Sequence, residues 1–183
     1  VTAVAYRAGV MAADSVGWTC NLSVAVPVAP KIKRLRGGGL IAAAGQTVAI
    51  DRFVEWMLRG GGKPEGIDRD DLTGLWVHPD GSVWMCLHDL HFIRIHSEFF
   101  AIGAPSTFMM GALFAGATAE ESVRLAIAHT DGAGGSVQVE HIHAGDPGGI
   151  IKLSPGCDPR SVVPAQFRPV PKPGCGGWVE SGK

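Results

Sequence analysis

The chain opens on two short apolar runs, Val1-Thr-Ala-Val-Ala-Tyr-Arg7 and Val10-Met-Ala-Ala-Asp14, separated by Ala8-Gly9. Val4, Tyr6 and Val10 are β-branched or aromatic types that fit a pleated strand, and Gly9 supplies the positive φ of a two-residue hairpin turn. The pattern predicts a hairpin in which Arg7 faces Val10, Ala5 faces Ala12 and Ala3 faces Asp14, because antiparallel partners keep a constant sum of positions. That register sets Asp14 beside Thr2. A second extended stretch runs from Val16 to Val28, broken by Pro27 and Pro30. Thr47 to Leu58 then reads as a helix, with Val48, Phe53, Val54, Trp56 and Met57 on its apolar face and Asp51, Arg52 and Glu55 opposite. Gly60-Gly-Gly-Lys-Pro64 ends it.

An acidic loop, Glu65 to Asp71, leads to a second hairpin: Leu75 to His78, the turn Pro79-Asp80-Gly81, and Val83 to Leu87. His88 to Phe100 predicts a further strand pair. Pro105 to Ala115 predicts a helix without a single charge, expected to be covered on both sides, by the core and by a neighbouring subunit. Thr118-Ala-Glu-Glu121 is a capping box that opens a third helix through Ala128, and Ser136 to His143 reads as the last strand. The elements together predict an α+β fold. From residue 144 the chain turns rich in Gly and Pro and loses its apolar periodicity. This divides it into a domain, residues 1–143, and a Pro/Gly-rich C-terminal extension, residues 144–183.

Composition narrows the function classes. A chain of 183 residues suits one core that buries about two thirds of its unfolded surface, and 18% charged with 46% apolar residues argues against disorder. A formal net charge of -1 argues against nucleic acid or an anionic membrane as partner. No apolar run approaches the roughly eighteen residues of a span, and no signal peptide is visible. The four cysteines follow no ligand spacing: Cys20 and Cys86 are expected in strands as buried thiols, Cys157 and Cys175 in the extension, and the expected compartment is the reducing cytoplasm. His88-Asp-Leu-His91 and His141-Ile-His143 could each bring two imidazoles together, but no cysteine or carboxylate completes a set. Neither a metal nor a cofactor is expected.

Thr2, the Ala12-Ala-Asp14 strand end, Lys31 opening Lys-Ile-Lys-Arg-Leu35, and Ala44-Gly45 before a helix resemble, in order and spacing, a proteasome β-type subunit of the HslV-like family, in a short bacterial or phage-encoded form. Phe100-Ala-Ile-Gly103 and Gly134-Gly135 continue the resemblance, which covers residues 1–143. The family are N-terminal-nucleophile hydrolases. What the resemblance implies is a four-layer αββα sandwich of antiparallel sheets and a threonine peptidase. It also implies a homo-oligomeric ring that encloses its active sites, with unfolded polypeptide as substrate and an ATP-dependent unfoldase as feeding partner.

Site roles follow from the same resemblance. Thr2 is the nucleophile, and its own α-amine, with a pKa near 7.7 to 8.0, is a better base near neutral pH than a lysine near 10.4. Lys31 is a fixed positive charge that lowers the pKa of the hydroxyl and the amine, Asp14 pairs with it, and the Gly45 N–H is the oxyanion donor. Losing one such donor costs roughly 3 to 4 kcal/mol. Asp131 is the carboxylate nearest the family's third acidic position, though out of register with it. The chain departs from the pattern at Ala104 and Ala133, where the family often has serine, and Ser106 is the nearest substitute for the first missing hydroxyl. Val1 precedes Thr2, so the amine is freed only if Val1 is removed, for instance as the product of an alternative start codon. The alternative is a catalytically silent subunit of the same fold with a structural or assembly role, for example in a phage particle, which would make it virion-associated.

Overall fold

The computed structural model describes residues 2–19, 24–60, 64, 67, 72–87 and 90–142. The division expected at residue 143 and the extension beyond it lie outside the described residues, as do Cys20, Cys157, Cys175, His88, Asp89 and His143.

The first hairpin forms from β1 (Ala3–Arg7) and β2 (Val10–Asp14), with Arg7 opposite Val10 and Ala5 opposite Ala12. Its turn places Ala8 at φ 49° and Gly9 at φ 84°, the two positive values that a type I′ turn requires. The next elements are β3 (Val16–Thr19), β4 (Val24–Pro27), β5 (Lys33–Arg34), β6 (Leu40–Gly45) and helix α1 (Thr47–Arg59). After them come β7 (Leu72–Val77), β8 (Val83–Cys86), β9 (Phe92–Ile95), β10 (Phe99–Gly103), α2 (Ser106–Phe114), α3 (Ala119–His129) and β11 (Val137–His141). One sheet has the order β10-β1-β2-β11, another β5-β6-β7-β8-β9, both antiparallel, and β3 pairs with β4 alone.

Strand alternation sends the two faces of the first hairpin into different cores. Val4, Tyr6, Met11 and Ala13 meet Leu40, Ala42, Leu75, Val77 and Val83 between the sheets. Ala3, Ala5 and Ala12 point the other way, where their small size lets Met109 and Leu113 of α2 and Val123 and Ala126 of α3 approach. On the far side, α1 lies on β6 and β7 and fits Phe53 against Gly74, where a side chain would collide with its ring. The layers therefore run α1, five-stranded sheet, four-stranded sheet, α2 with α3. This is the four-layer αββα sandwich.

Several local expectations need correction. The stretch from Val16 to Val28 is a hairpin and not one strand, because Val16 pairs back onto Pro27. His88 to Phe100 does not hold a mutual pair: β9 joins β8 in one sheet and β10 joins β1 in the other, so the chain crosses between layers at residues 96–98. In α1 the buried residues are Ala49, Phe53 and Trp56, while Val48 is 63% exposed in the first turn. Trp76 is buried, with its ring against Phe92 and Trp84. Within the chain one side of α2 is covered by the core, with Met109 and Leu113 buried, and the other side carries Phe114 at 85% exposure. The capping box at Thr118 forms as expected, Thr118 Oγ1 accepting from Glu121 N and the Glu121 carboxylate accepting from Thr118 N.

Candidate active site

Thr2 enters β1 at one end of the sandwich and is buried, at 5% exposure. Its carbonyl oxygen accepts from Ala104 N at 3.1 Å. Gly103, at φ 101°, lies so close that a side chain there would overlap the Thr2 carbonyl. The end of β10 thus fixes the Thr2 main chain, and only glycine allows the approach.

Asp14, at the end of β2, is the most heavily used side chain at this end. Its Oδ1 accepts from Ala3 N at 2.9 Å and from Lys31 Nζ at 2.6 Å, and its Oδ2 accepts from Gly134 N at 3.2 Å. The register with β2 stops at Val4 opposite Ala13, so on that side Ala3 N is met by the Asp14 side chain in place of a strand carbonyl, while on the other side Ala3 pairs with Gly103 of β10. The carboxylate is buried with no side-chain exposure, and three donors replace its lost water. Lys31 comes from the segment before β5 and also donates to Val16 O at 2.7 Å. Burial lowers its pKa from the ordinary 10.5, opposed by its hydrogen bond to Asp14 and by that carboxylate's charge.

A cleft of about 490 Å³ opens beside Thr2 between the sheet ends. Gly45, at φ 141° where β6 passes into α1, lies on its rim, and Thr73, Met85, Phe100, Ala104 and Ser106 also line it. Here the inward positions are short: Ala44 and Thr73 continue the faces that carry Leu40 and Leu75 deeper in. The core runs out of volume, and a groove remains.

The structure therefore brings Thr2, Gly45 and Ser106 to one cleft and joins Asp14 to Lys31. Asp131 is not brought in. It is exposed in the turn after α3, and the group from that loop which reaches Asp14 is the Gly134 amide. Ala133 is buried against Ala3, Ala12 and α3, filling space and donating nothing. Sequence reasoning missed Thr73 because it began that strand at Leu75. It also missed Ser15, whose Oγ accepts from Ser136 N at 2.8 Å and ties the loop before β11 to the end of β2. Among the described residues no three His, Cys, Asp or Glu side chains cluster as metal ligands, and no helix is long and apolar enough to cross a membrane.

No protein-family model matches the sequence, and no curated protein matches it. Solved structures do match in fold. Thiobacillus denitrificans BPH in complex with epoxomicin is similar at a TM-score of 0.57 and 16% identity, over 78% of this chain and 98% of that one. A second BPH structure gives 0.53 and 18%, over 78% and 98%. Eukaryotic HslV from Trypanosoma brucei gives 0.55 and 16%, over 76% and 97%. The sandwich is thus of the kind these proteins share.

Proposed function

We propose that the chain is a threonine peptidase subunit of a proteasome-like, self-compartmentalised ring, with Thr2 as nucleophile once it is the N-terminal residue. The observation that carries this is the Asp14 carboxylate, whose single Oδ1 holds both the Lys31 ammonium and the amide of Ala3, the residue after Thr2. A buried ion pair is a costly way to make a fold stable, and fastening it to the neighbour of a hydroxyl gives that cost a use. The fold likeness to HslV and to the epoxomicin-bound BPH points the same way.

In this reading Thr2 Oγ1 attacks the scissile carbonyl carbon and its proton passes to the Thr2 α-amine. The carbonyl oxygen becomes an oxyanion that accepts from Gly45 N–H. The C–N bond then breaks, the leaving amine takes the proton, and water hydrolyses the acyl-threonine ester with the α-amine again as base. Lys31 stays protonated throughout as a fixed charge. Ser106, at the start of α2, brings a hydroxyl to the cleft that Ala104 also lines. Asp131 has no role in this scheme.

The ring accounts for the surface of α2, where Phe108 is 40% and Phe114 85% exposed, with Leu125 of α3 at 39%. Copies of the chain would cover these residues, and an unfoldase would be needed to deliver unfolded polypeptide into the enclosed space.

Intact-mass measurement on the native assembly, with and without epoxomicin, tests the reading. The expected result is a chain that starts at Thr2, hydrolyses unfolded polypeptide and gains one inhibitor mass on Thr2. Retained Val1 with no adduct would overturn it in favour of a silent structural subunit, and sedimentation as a monomer alone would remove the compartment.

A further inference from the structure

The segment that delivers Lys31 has little strand pairing of its own. Only Lys33 and Arg34 form β5, against Ile41 and Leu40, and Ile32 precedes that pairing with its side chain buried at 2% exposure between the sheets. The main chain of Ile32 is satisfied by a side chain from the opposite sheet. Gln138 Oε1 accepts from Ile32 N at 3.1 Å, and Gln138 Nε2 donates to Ile32 O at 3.1 Å. One primary amide thereby does for Ile32 what a neighbouring strand would do, using its acceptor and one donor together.

The source of that amide matters. Gln138 belongs to β11, whose preceding residue Val137 is registered opposite Asp14. The same strand therefore holds the carboxylate by its main-chain ladder and the residue after Lys31 by a side chain. Two residues on, the pattern repeats at the surface: Arg34 Nη2 donates to Glu140 Oε2 at 3.0 Å and to His141 O at 2.9 Å. Gln138 and Glu140 lie on one face of β11, as alternate residues of a strand must, and Ile32 and Arg34 answer them at the same spacing. The two rungs differ in exposure. The Arg34–Glu140 pair is more than a third exposed on both sides, whereas Gln138 is half-buried.

We propose that Gln138 is the positioning residue of the Lys31 ammonium: its two-point clasp on the Ile32 main chain sets where the Lys31 stem begins and so keeps Nζ on Asp14. This rests on the reading of Lys31 as the fixed charge beside Thr2, and it assigns to β11 a part in catalysis that touches neither substrate nor nucleophile. Lys31 has a flexible four-carbon stem, so its ammonium is only as well placed as the main chain that carries it. A displacement of about 1 Å at a distance from the chemistry can cost on the order of 10²-fold in rate.

The test uses the full-length assembly with Gln138→Met, which keeps length and removes both polar atoms, and Gln138→Glu, which keeps an acceptor for Ile32 N and sets an anion against Ile32 O. In peptide hydrolysis, kcat should fall by roughly 10- to 100-fold in Gln138→Met with KM within about twofold, and Gln138→Glu should lie between it and the parent. Glu140→Gln, which breaks only the exposed rung, should leave kcat within about twofold. Alongside, the side-chain ¹⁵N–¹H resonance of the Lys31 ammonium, slow to exchange while Nζ is held by Asp14 and Val16, should be lost or broadened in Gln138→Met and retained in Glu140→Gln. An unchanged kcat in an active parent, or an unchanged Lys31 resonance in both Gln138 variants, overturns the proposal. If the parent proves to have no peptidase activity, the proposed function fails by itself and the resonance decides whether Gln138 holds Lys31. If Gln138→Met does not fold, Gln138→Glu carries both measurements, and parent-like values in it overturn the assignment.

Discussion

On one side of Thr2 the chain sets buried side chains against each other, with Asp14 Oδ1 2.6 Å from Lys31 Nζ and both carboxylate oxygens accepting from main-chain amides. On the other side it leaves a cleft edged by glycines and short side chains: Gly45, Gly103, Thr73 and Ser106. The first side fixes charge, and fixed charge needs a closed, fully bonded surround because an unpaired buried ion is so costly. The second admits a ligand, which requires backbone donors held by strands and little side-chain volume in the way. The difference teaches where each kind of substitution should act. On the closed side it is chemical identity that counts, and on the open side it is the presence of any side chain at all.

The largest effect belongs to the closed side. Lys31→Met should remove peptide hydrolysis by at least roughly 10³-fold, the scale on which machinery that acts as a unit fails, and Asp14→Asn should reduce it strongly. Lys33→Met should change kcat/KM by less than about twofold, because Lys33 sits in β5 opposite Ile41 and makes no contact with Asp14. Assembly should survive Lys31→Met. Asp14 keeps the amides of Ala3 and Gly134, so its stability cost should fall below the roughly 3 to 5 kcal/mol of a buried pair stripped of one partner. A sensitive Lys33 with an insensitive Lys31 would put the charge on the wrong lysine.

A smaller effect is expected across the cleft at Gly103. Gly103→Ala carries two penalties, a positive φ of 101° and overlap with the Thr2 carbonyl, whereas Gly9→Ala carries only the first, at φ 84° with open space around it. Gly9→Ala should therefore cost about 1 to 2 kcal/mol in urea unfolding and leave Thr2 reactivity intact. Gly103→Ala should cost more and also slow inhibitor addition to Thr2. Equal costs with equal reactivity would mean that β10 yields at this point, and that the open side is less firmly built than its main-chain bonds imply.

How much of this could be read from residues alone follows the range of the interactions. The first hairpin was legible to the register because its determinants, Ala8-Gly9 and the alternating Val4, Tyr6 and Val10, lie within a few residues of one another. The Thr118 capping box was equally local. Asp14 and Lys31 became candidates only through a resemblance in order and spacing, and their contact spans seventeen positions. Gln138 left no sign at all. Its clasp on Ile32 crosses 106 positions and two sheets, and a lone glutamine in a strand carries no periodic signal. The β9 and β10 assignment failed for a related reason. Two consecutive strands read as a pair, yet here each found its partner in a different layer, which local pattern cannot distinguish.

The smallest effect, and the one that most directly weighs the closed side's cost, is in the pH dependence of stability. Burial lowers the Lys31 pKa below its ordinary 10.5, with the hydrogen bond and charge of Asp14 opposing. The unfolded chain therefore binds the Lys31 proton more tightly than the folded chain does. Wherever the unfolded state holds more protons, stability rises with pH. The penalty for burying the charged ammonium is fully present below the folded pKa and is relieved as pH climbs from there to 10.5. The parent curve sums every proton-binding group of the chain, so alone it decides nothing. Subtracting the urea-unfolding profile of Lys31→Met isolates the difference. The parent should gain stability relative to the variant as pH rises through that window, and lie on a flat difference line at neutral pH. A difference that stays flat throughout would mean that Asp14 compensates the burial of Lys31 completely, and a falling one would mean that the pair is a net source of stability whose loss, more than that of any catalytic charge, explains an inactive Lys31→Met.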